Sequence, residues 1–154
     1  MNLLKKLLLL FIPILLAACQ SPNQPGDTAN PSEIDSIVEV YHGSNDPVEN
    51  FQSLKVNEKI RIYVSKFPII NRSYINQVQN IVDDKGNAYV RLGLTAEGVA
   101  IMSKTPQNYG YVTVVKGNLV SIDGFVQKSN FFFLVPNQET AQSLSKIISS
   151  SIPK

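Results

Sequence analysis

Cysteine and histidine are almost missing from this chain, with one of each in 154 residues. A disulfide framework needs paired cysteines and a structural zinc site needs four Cys or His ligands, so neither can form within the chain. Glycine and proline are also sparse and without period, at eight and nine residues, which excludes a fibrous protein. Charged residues make up 17% and apolar residues 44%, a balance that excludes a wholly disordered chain or a long coiled coil. No phosphate-cradling glycine run is present, because Gly86, Gly93 and Gly98 are too far apart. Asp83 to Asn87 lacks the alternating oxygen ligands and closing Glu of a calcium loop. The expectation is therefore no metal and no cofactor. The length suits one domain rather than two.

The one long apolar run is Leu7 to Leu16. It falls short of the roughly 20 residues that span a bilayer, and Pro13 interrupts it. Lys5 and Lys6 precede it and small residues follow, which is the layout of a secretory signal over residues 1–18. Leu16-Ala17-Ala18-Cys19 then resembles the lipobox of bacterial lipoproteins. That resemblance implies cleavage before Cys19, a diacylglyceryl group on its thiol and a further acyl chain, commonly palmitate, on its new amine. Gln20 stands where an Asp would resemble an inner-membrane retention signal. In a diderm host the expected place is thus the outer membrane, facing the periplasm.

Loss of residues 1–18 removes Lys5 and Lys6 and leaves twelve basic against twelve acidic residues. A neutral mature chain with no basic face argues against a nucleic-acid partner. Residues 19–34 hold Cys19 and a linker, in which Gln20 to Ser32 carries Pro22, Pro25 and Pro31 and no large apolar residue, the composition of a flexible tether. A single domain is expected over residues 35–152.

Within it, Ser36 to Tyr41 reads as a first strand and His42 to Asn50 as a loop rich in Gly, Asn, Asp and Pro. Lys59 to Ser65 alternates, with Ile60, Ile62 and Val64 on one face. Tyr74 to Val82 and Asn87 to Leu94 form a pair of strands about a turn at Asp83-Asp84-Lys85-Gly86. Thr95 caps a helix that faces Val99 and Met102 inward and ends at Pro106 or Gly110. Strands at Tyr111 to Val115 and Leu119 to Ile122 follow, with Asp123-Gly124 as a second turn or bulge. Phe131 to Val135 is a last strand. Asn137 caps a final helix with Ala141, Leu144 and Ile148 at helical spacing. The order predicts an α+β fold, an antiparallel sheet with two main helices packed on one face.

Residues 60–149 resemble the head of the first periplasmic domain of SecD and SecDF, accessory subunits of the Sec protein-export machine. The motif "L–T–x–E–G" stands here as Leu94-Thr95-Ala96-Glu97-Gly98. Pro68 matches the link, Asp83, Gly86 and Val90 the hairpin, and Thr105, Asn108 and Gly110 the segment after the helix. The chain departs from the family at Lys116, in place of an acid, and at Lys128-Ser129-Asn130, in place of glycines. The family's proton-relay residues lie in membrane segments with no counterpart after residue 16. The resemblance therefore implies the fold, and of the family's activities only the binding of polypeptide chains.

No catalytic residue is expected. His42 is the single candidate base, and it sits in the turn-rich run His42-Gly43-Ser44-Asn45-Asp46. Asp83 and Asp84 are adjacent and suit a turn rather than two acids facing across a cleft. The aromatics are the better candidates. Tyr89 and Arg91 share the strand face opposite Ala88 and Val90. Phe132 must point away from Phe131 and Phe133. With Tyr109 and Tyr111, which flank Gly110, these five form the candidate partner-binding set. Either one sheet face displays them, or residues 36–58 cover that face and make them core. The function expected is that of a membrane-anchored, non-enzymatic lipoprotein binding a protein or peptide. A constitutive subunit of an envelope complex is the alternative, and a hydrolase the remaining one, which would need a polar pocket around His42.

Overall fold

The computed structural model describes residues 37–151. The signal segment, Cys19 and the linker to residue 34 lie outside the described residues. Nine strands and two helices follow in the order β1 (Val38–Ser44), β2 (Phe51–Lys55), β3 (Arg61–Ser65), β4 (Ile75–Val82), β5 (Ala88–Leu94), α1 (Ala96–Met102), β6 (Gly110–Val115), β7 (Asn118–Ser121), β8 (Gly124–Gln127), β9 (Asn130–Val135) and α2 (Gln138–Ser149). A short 3₁₀ turn over Arg72–Tyr74 leads into β4.

The fold is α+β with antiparallel strands and two packed helices. The strands divide into two sheets, one of five strands in the order β2-β3-β1-β6-β7 and one of four in the order β4-β5-β9-β8. One main core joins them, and a smaller cluster of Ile62, Val64 and Val112 packs separately within the five-stranded sheet. In the main core, Val38 and Val40 of β1, Val90 and Leu92 of β5, Val115 of β6, and Phe131, Phe133 and Val135 of β9 are buried together with Ala141, Leu144 and Ile148 of α2. These are the positions that alternate on strands and recur at three and four on the helix, so each element turns its one apolar side to the same interior. Ala88, Val90, Leu92 and Leu94 all face that interior, as their spacing requires.

Local chemistry sets the boundaries. The Thr95 side chain accepts from the Gly98 N–H at 3.2 Å, and Asn137 accepts from the Thr140 N–H at 2.8 Å, so both helices begin on the expected caps. The Asp83 carboxylate accepts from the Asn87 side chain at 2.8 Å and from the Lys85 and Asn87 N–H groups at 2.9 and 2.8 Å, and Gly86 takes φ +84°. The Asn87 side chain foremost, with those amides, holds the Asp83 carboxyl below its ordinary range. Arg72 is buried. It donates to the Ile75 carbonyl at 2.6 Å and the Ser151 hydroxyl at 3.1 Å, which ties the start of β4 to the end of α2.

Several expectations need correction. Residues 42–44 are strand, because β1 runs on against β6 through His42↔Tyr111 and Gly43↔Gly110. Gly43 is there for close approach, not for a turn: a Cβ would sit 2.7 Å from Val112 Cγ2. Ile60 is 43% exposed in a turn that Asn57 closes, while Ile62 and Val64 are buried. α1 stops at Met102 with Ser103 as its cap, well before Pro106. Two strands escaped the sequence reading. β2 is almost wholly exposed and has no alternation to reveal it. β8 follows the Asp123-Gly124 bend at once, where the chain passes from one sheet to the other. Gly124 is needed at that bend, since a Cβ would lie 2.7 Å from the Phe131 ring and 3.0 Å from the Phe132 carbonyl oxygen.

Phe133 is fully buried at the centre of this core. Phe133→Ala is expected to cost about 3–5 kcal/mol in urea unfolding, and Thr95→Ala about 1 kcal/mol through the lost cap.

Candidate partner-binding face

β9 runs between β5 and β8, so whatever Phe132 does is shared with both neighbours. Register places Gln79, Arg91, Phe132 and Phe125 in one row across all four strands. The next row is Ile81, Tyr89 and Leu134. Both rows lie on the face turned away from Phe131 and Phe133.

The aromatic rings on that face touch. Phe125 and Phe132 stack with centroids 4.9 Å apart and planes 7° from parallel. Tyr89 meets Phe125 edge-on at 5.9 Å and 82°. Phe125 remains 44% exposed, while Tyr89 and Phe132 are half-buried. Arg91 lies beside them in the row. Its Nη2 donates to the Gln79 side chain and, at 3.3 Å, to the Gln77 side chain. Two neutral amides thus hold the cation in place without cancelling its charge. Its Nε is enclosed without a hydrogen-bond partner. The face therefore offers aromatic surface, one oriented guanidinium and amide side chains.

Of the segment 36–58, the described residues 38–55 do not cover this face, and Val56 reaches only the cavity beside Leu134. Residues 38–55 build β1 and β2 of the other sheet, and Val38 and Val40 pack on the Phe131 and Phe133 side. An open cavity of about 550 Å³ adjoins the face through Leu134. Val56, Leu119, Ile122 and Pro136 give it an apolar lining, and Asp123 stands among them.

The five candidate residues do not form one site. Tyr89, Arg91 and Phe132 share the open face. Tyr111 lies edge-on against Phe131 at 5.3 Å and packs against the core. Tyr109 sits beyond the edge of β6, 5.5 Å from the His42 ring and 5.2 Å from the Phe51 ring. Sequence reasoning missed Phe125. The apolar pair Phe125-Val126 was its signal, but a four-residue strand that begins on the Gly of Asp123-Gly124 reads as the exit of a turn.

His42 belongs to that second cluster. Its Nε2 lies 3.2 Å from the Thr105 hydroxyl, and its backbone N–H donates to the Ser65 hydroxyl at 3.1 Å. The Tyr109 ring and the Thr105 hydroxyl stand beside it, and no carboxylate among the described residues bonds to the imidazole to complete a nucleophile–base–acid relay. Among the described residues, no three His, Cys, Asp or Glu side chains gather to hold a metal, and no helix is long and apolar enough to cross a membrane.

No protein-family model and no curated protein matches the chain. Two solved structures do. A crystal structure of SecDF in its super-membrane-facing form is similar with TM-score 0.52 and 15% identity, over 75% of this chain and 19% of that one. A structure of SecDF, described as a membrane component that enhances protein export, is similar with TM-score 0.50 and 12% identity, over 75% of this chain and 63% of that one. The chain thus spans less than two thirds of either. At such identity the likeness is one of fold, and it agrees with the α+β head that Leu94 to Gly98 implied.

Burial holds the His42 imidazole below its usual pKa. The folded state then favours neutral His42, while the unfolded chain takes up a proton near pH 6.5. Stability is expected to be level above about pH 6.5 and to fall as pH drops from there to the lowered folded value. Urea midpoints measured at either side of that window should differ less in His42→Gln than in the parent chain.

Proposed function

We propose that this protein is a lipid-anchored, non-catalytic component of the bacterial cell envelope that binds a polypeptide partner on the open face of its four-stranded sheet. The observation that carries the reading is the Phe125–Phe132 stack with Tyr89 against it, on the face opposite the core. Monomeric domains seldom leave clustered rings open to water, and aromatic clusters beside an Arg are the usual anchors of protein interfaces. Arg91 would take a carbonyl or carboxylate of the bound chain, and the apolar cavity beyond Leu134 would take one of its aliphatic side chains. Leu16-Ala17-Ala18-Cys19 supports the anchor, with palmitate among the expected acyl chains and the outer membrane as its place in a diderm host. Likeness in fold to a protein that enhances export makes an emerging or unfolded chain a partner of the right kind.

The test places a photo-crosslinking residue at Phe132 in the intact lipoprotein, in its own membranes, with Lys116 on the β6–β7 turn as control. Covalent adducts to polypeptide are expected at position 132, absent at 116, and reduced about tenfold or more by Phe125→Ala, the loss typical of an anchor residue. Cys19→Ser is expected to release the chain from the membrane fraction. Equal yields at 132 and 116, or adducts indifferent to Phe125→Ala, would overturn the reading.

A further inference from the structure

β4 is the longest strand and the outermost of its sheet, paired with β5 alone. The turn fixes which of its backbone groups look outward. The Asp83 N–H donates to the Asn87 carbonyl and its carbonyl accepts from Gly86, so both Asp83 groups point inward to β5. Alternation then turns Ile81, Gln79 and Gln77 inward and directs the N–H and C=O of Val78, Asn80 and Val82 to the free edge. Among the described residues nothing bonds to these three edges.

Exposed edges are normally blunted by a charge, a proline, shortness or a cover. The other edge strands follow that rule. β2 carries Lys55, and β7 and β8 are four residues each. β4, with the sequence Ile75-Asn76-Gln77-Val78-Gln79-Asn80-Ile81-Val82, has no charge and no proline. Its one irregularity, the shift between Ile75 and Gln77, lies at the far end and leaves residues 77–82 straight against β5. The groups that fit such an edge are those of another extended backbone.

The side chains say whose backbone. Ile75 to Ile81 reads the same in both directions about Val78, but the irregularity between Ile75 and Gln77 falls within that run. In the regular part of the strand the residues whose backbone faces the free edge, Val78, Asn80 and Val82, are symmetric about Asn80. We infer that β4 pairs antiparallel with β4 of a second copy of this chain, about a twofold axis through Asn80. Asn80 then lies opposite its own copy, and Val78 opposite Val82 of the other chain, twice. Val82 is 42% exposed and Val78 half-buried beneath α2, so the pairing covers apolar surface that is otherwise wet. On the other face Gln79 meets Ile81 of the second copy. No like charges oppose each other in this register. A contact of this kind is isologous and closes on itself as a dimer. It joins two four-stranded sheets into one and sets the two aromatic faces side by side, whatever those faces bind.

The central pair also suits a covalent test, because residues directly opposite in a bonded antiparallel pair have Cα atoms about 5.5 Å apart, within disulfide reach. Asn80→Cys is introduced into the full chain in its native membranes and treated with copper phenanthroline, with Gln127→Cys on the opposite sheet edge as control. A reducible homodimer at position 80, at least tenfold above position 127, is the expected result. The full chain in detergent should sediment as a dimer, and Asn80→Lys, which places two like charges face to face on an exposed site, should return it to a monomer while leaving its circular dichroism unchanged. No dimer above the control, a disulfide from position 80 chiefly to a different protein, or an Asn80→Lys chain that stays dimeric would each overturn the inference.

Discussion

A strand sends consecutive side chains to opposite faces, and three consecutive phenylalanines on β9 turn that rule into the division on which the domain rests. Phe131 and Phe133 are wholly buried, and between them they meet β1, β5, β6 and α2. Phe132 has no choice but the other side. Each fully buried phenylalanine is worth roughly 1.5–3 kcal/mol by area removed from water, so shifting the strand by one residue would lose two such burials to gain one. Register is therefore fixed by the inner pair. The outer ring is the consequence, and it becomes part of a surface only because Phe125 and Tyr89 on the flanking strands arrive beside it.

The bend after Ser121 makes that meeting possible. Without a residue lacking Cβ at position 124, β8 could not lie against Phe131 and Phe132 closely enough to present Phe125 to Phe132. A conformational requirement in the backbone and an aromatic contact on the surface thus have one origin. The same economy appears at Gly43, where close approach of β1 and β6 carries His42 into contact with Thr105 and Tyr109. In both places a glycine that reads as loop in the sequence serves sheet packing in the structure.

Where periodicity was strong, the sequence was sufficient. Ala88 to Leu94, Phe131 to Val135 and the last helix all show their inner faces as apolar residues at the right spacing, and Thr95 and Asn137 cap as side-chain chemistry requires. The motif at Leu94 to Gly98 pointed to the fold that the solved structures share. What stayed hidden lacked a local signal. β2 is held by its ladder with β3 and has almost no inner face. β8 is four residues long. The separation of Tyr109 and Tyr111 from Tyr89 depends on two sheets being present, and no window of sequence distinguishes two sheets from one. That Tyr89 and Arg91 share one face, and that Phe132 points away from Phe131 and Phe133, was legible from alternation, whereas bringing Phe132 and Phe125 beside Arg91 needed tertiary pairing.

Solvent access along β9 and β8 measures this division most directly. Hydroxyl-radical footprinting read by mass spectrometry reports oxidation residue by residue. Phe125, Phe132 and Tyr89 should be oxidised readily in the folded chain, while Phe131 and Phe133 stay protected until the domain is unfolded. Equal protection of Phe132 and Phe125 with their buried neighbours would contradict an open aromatic face.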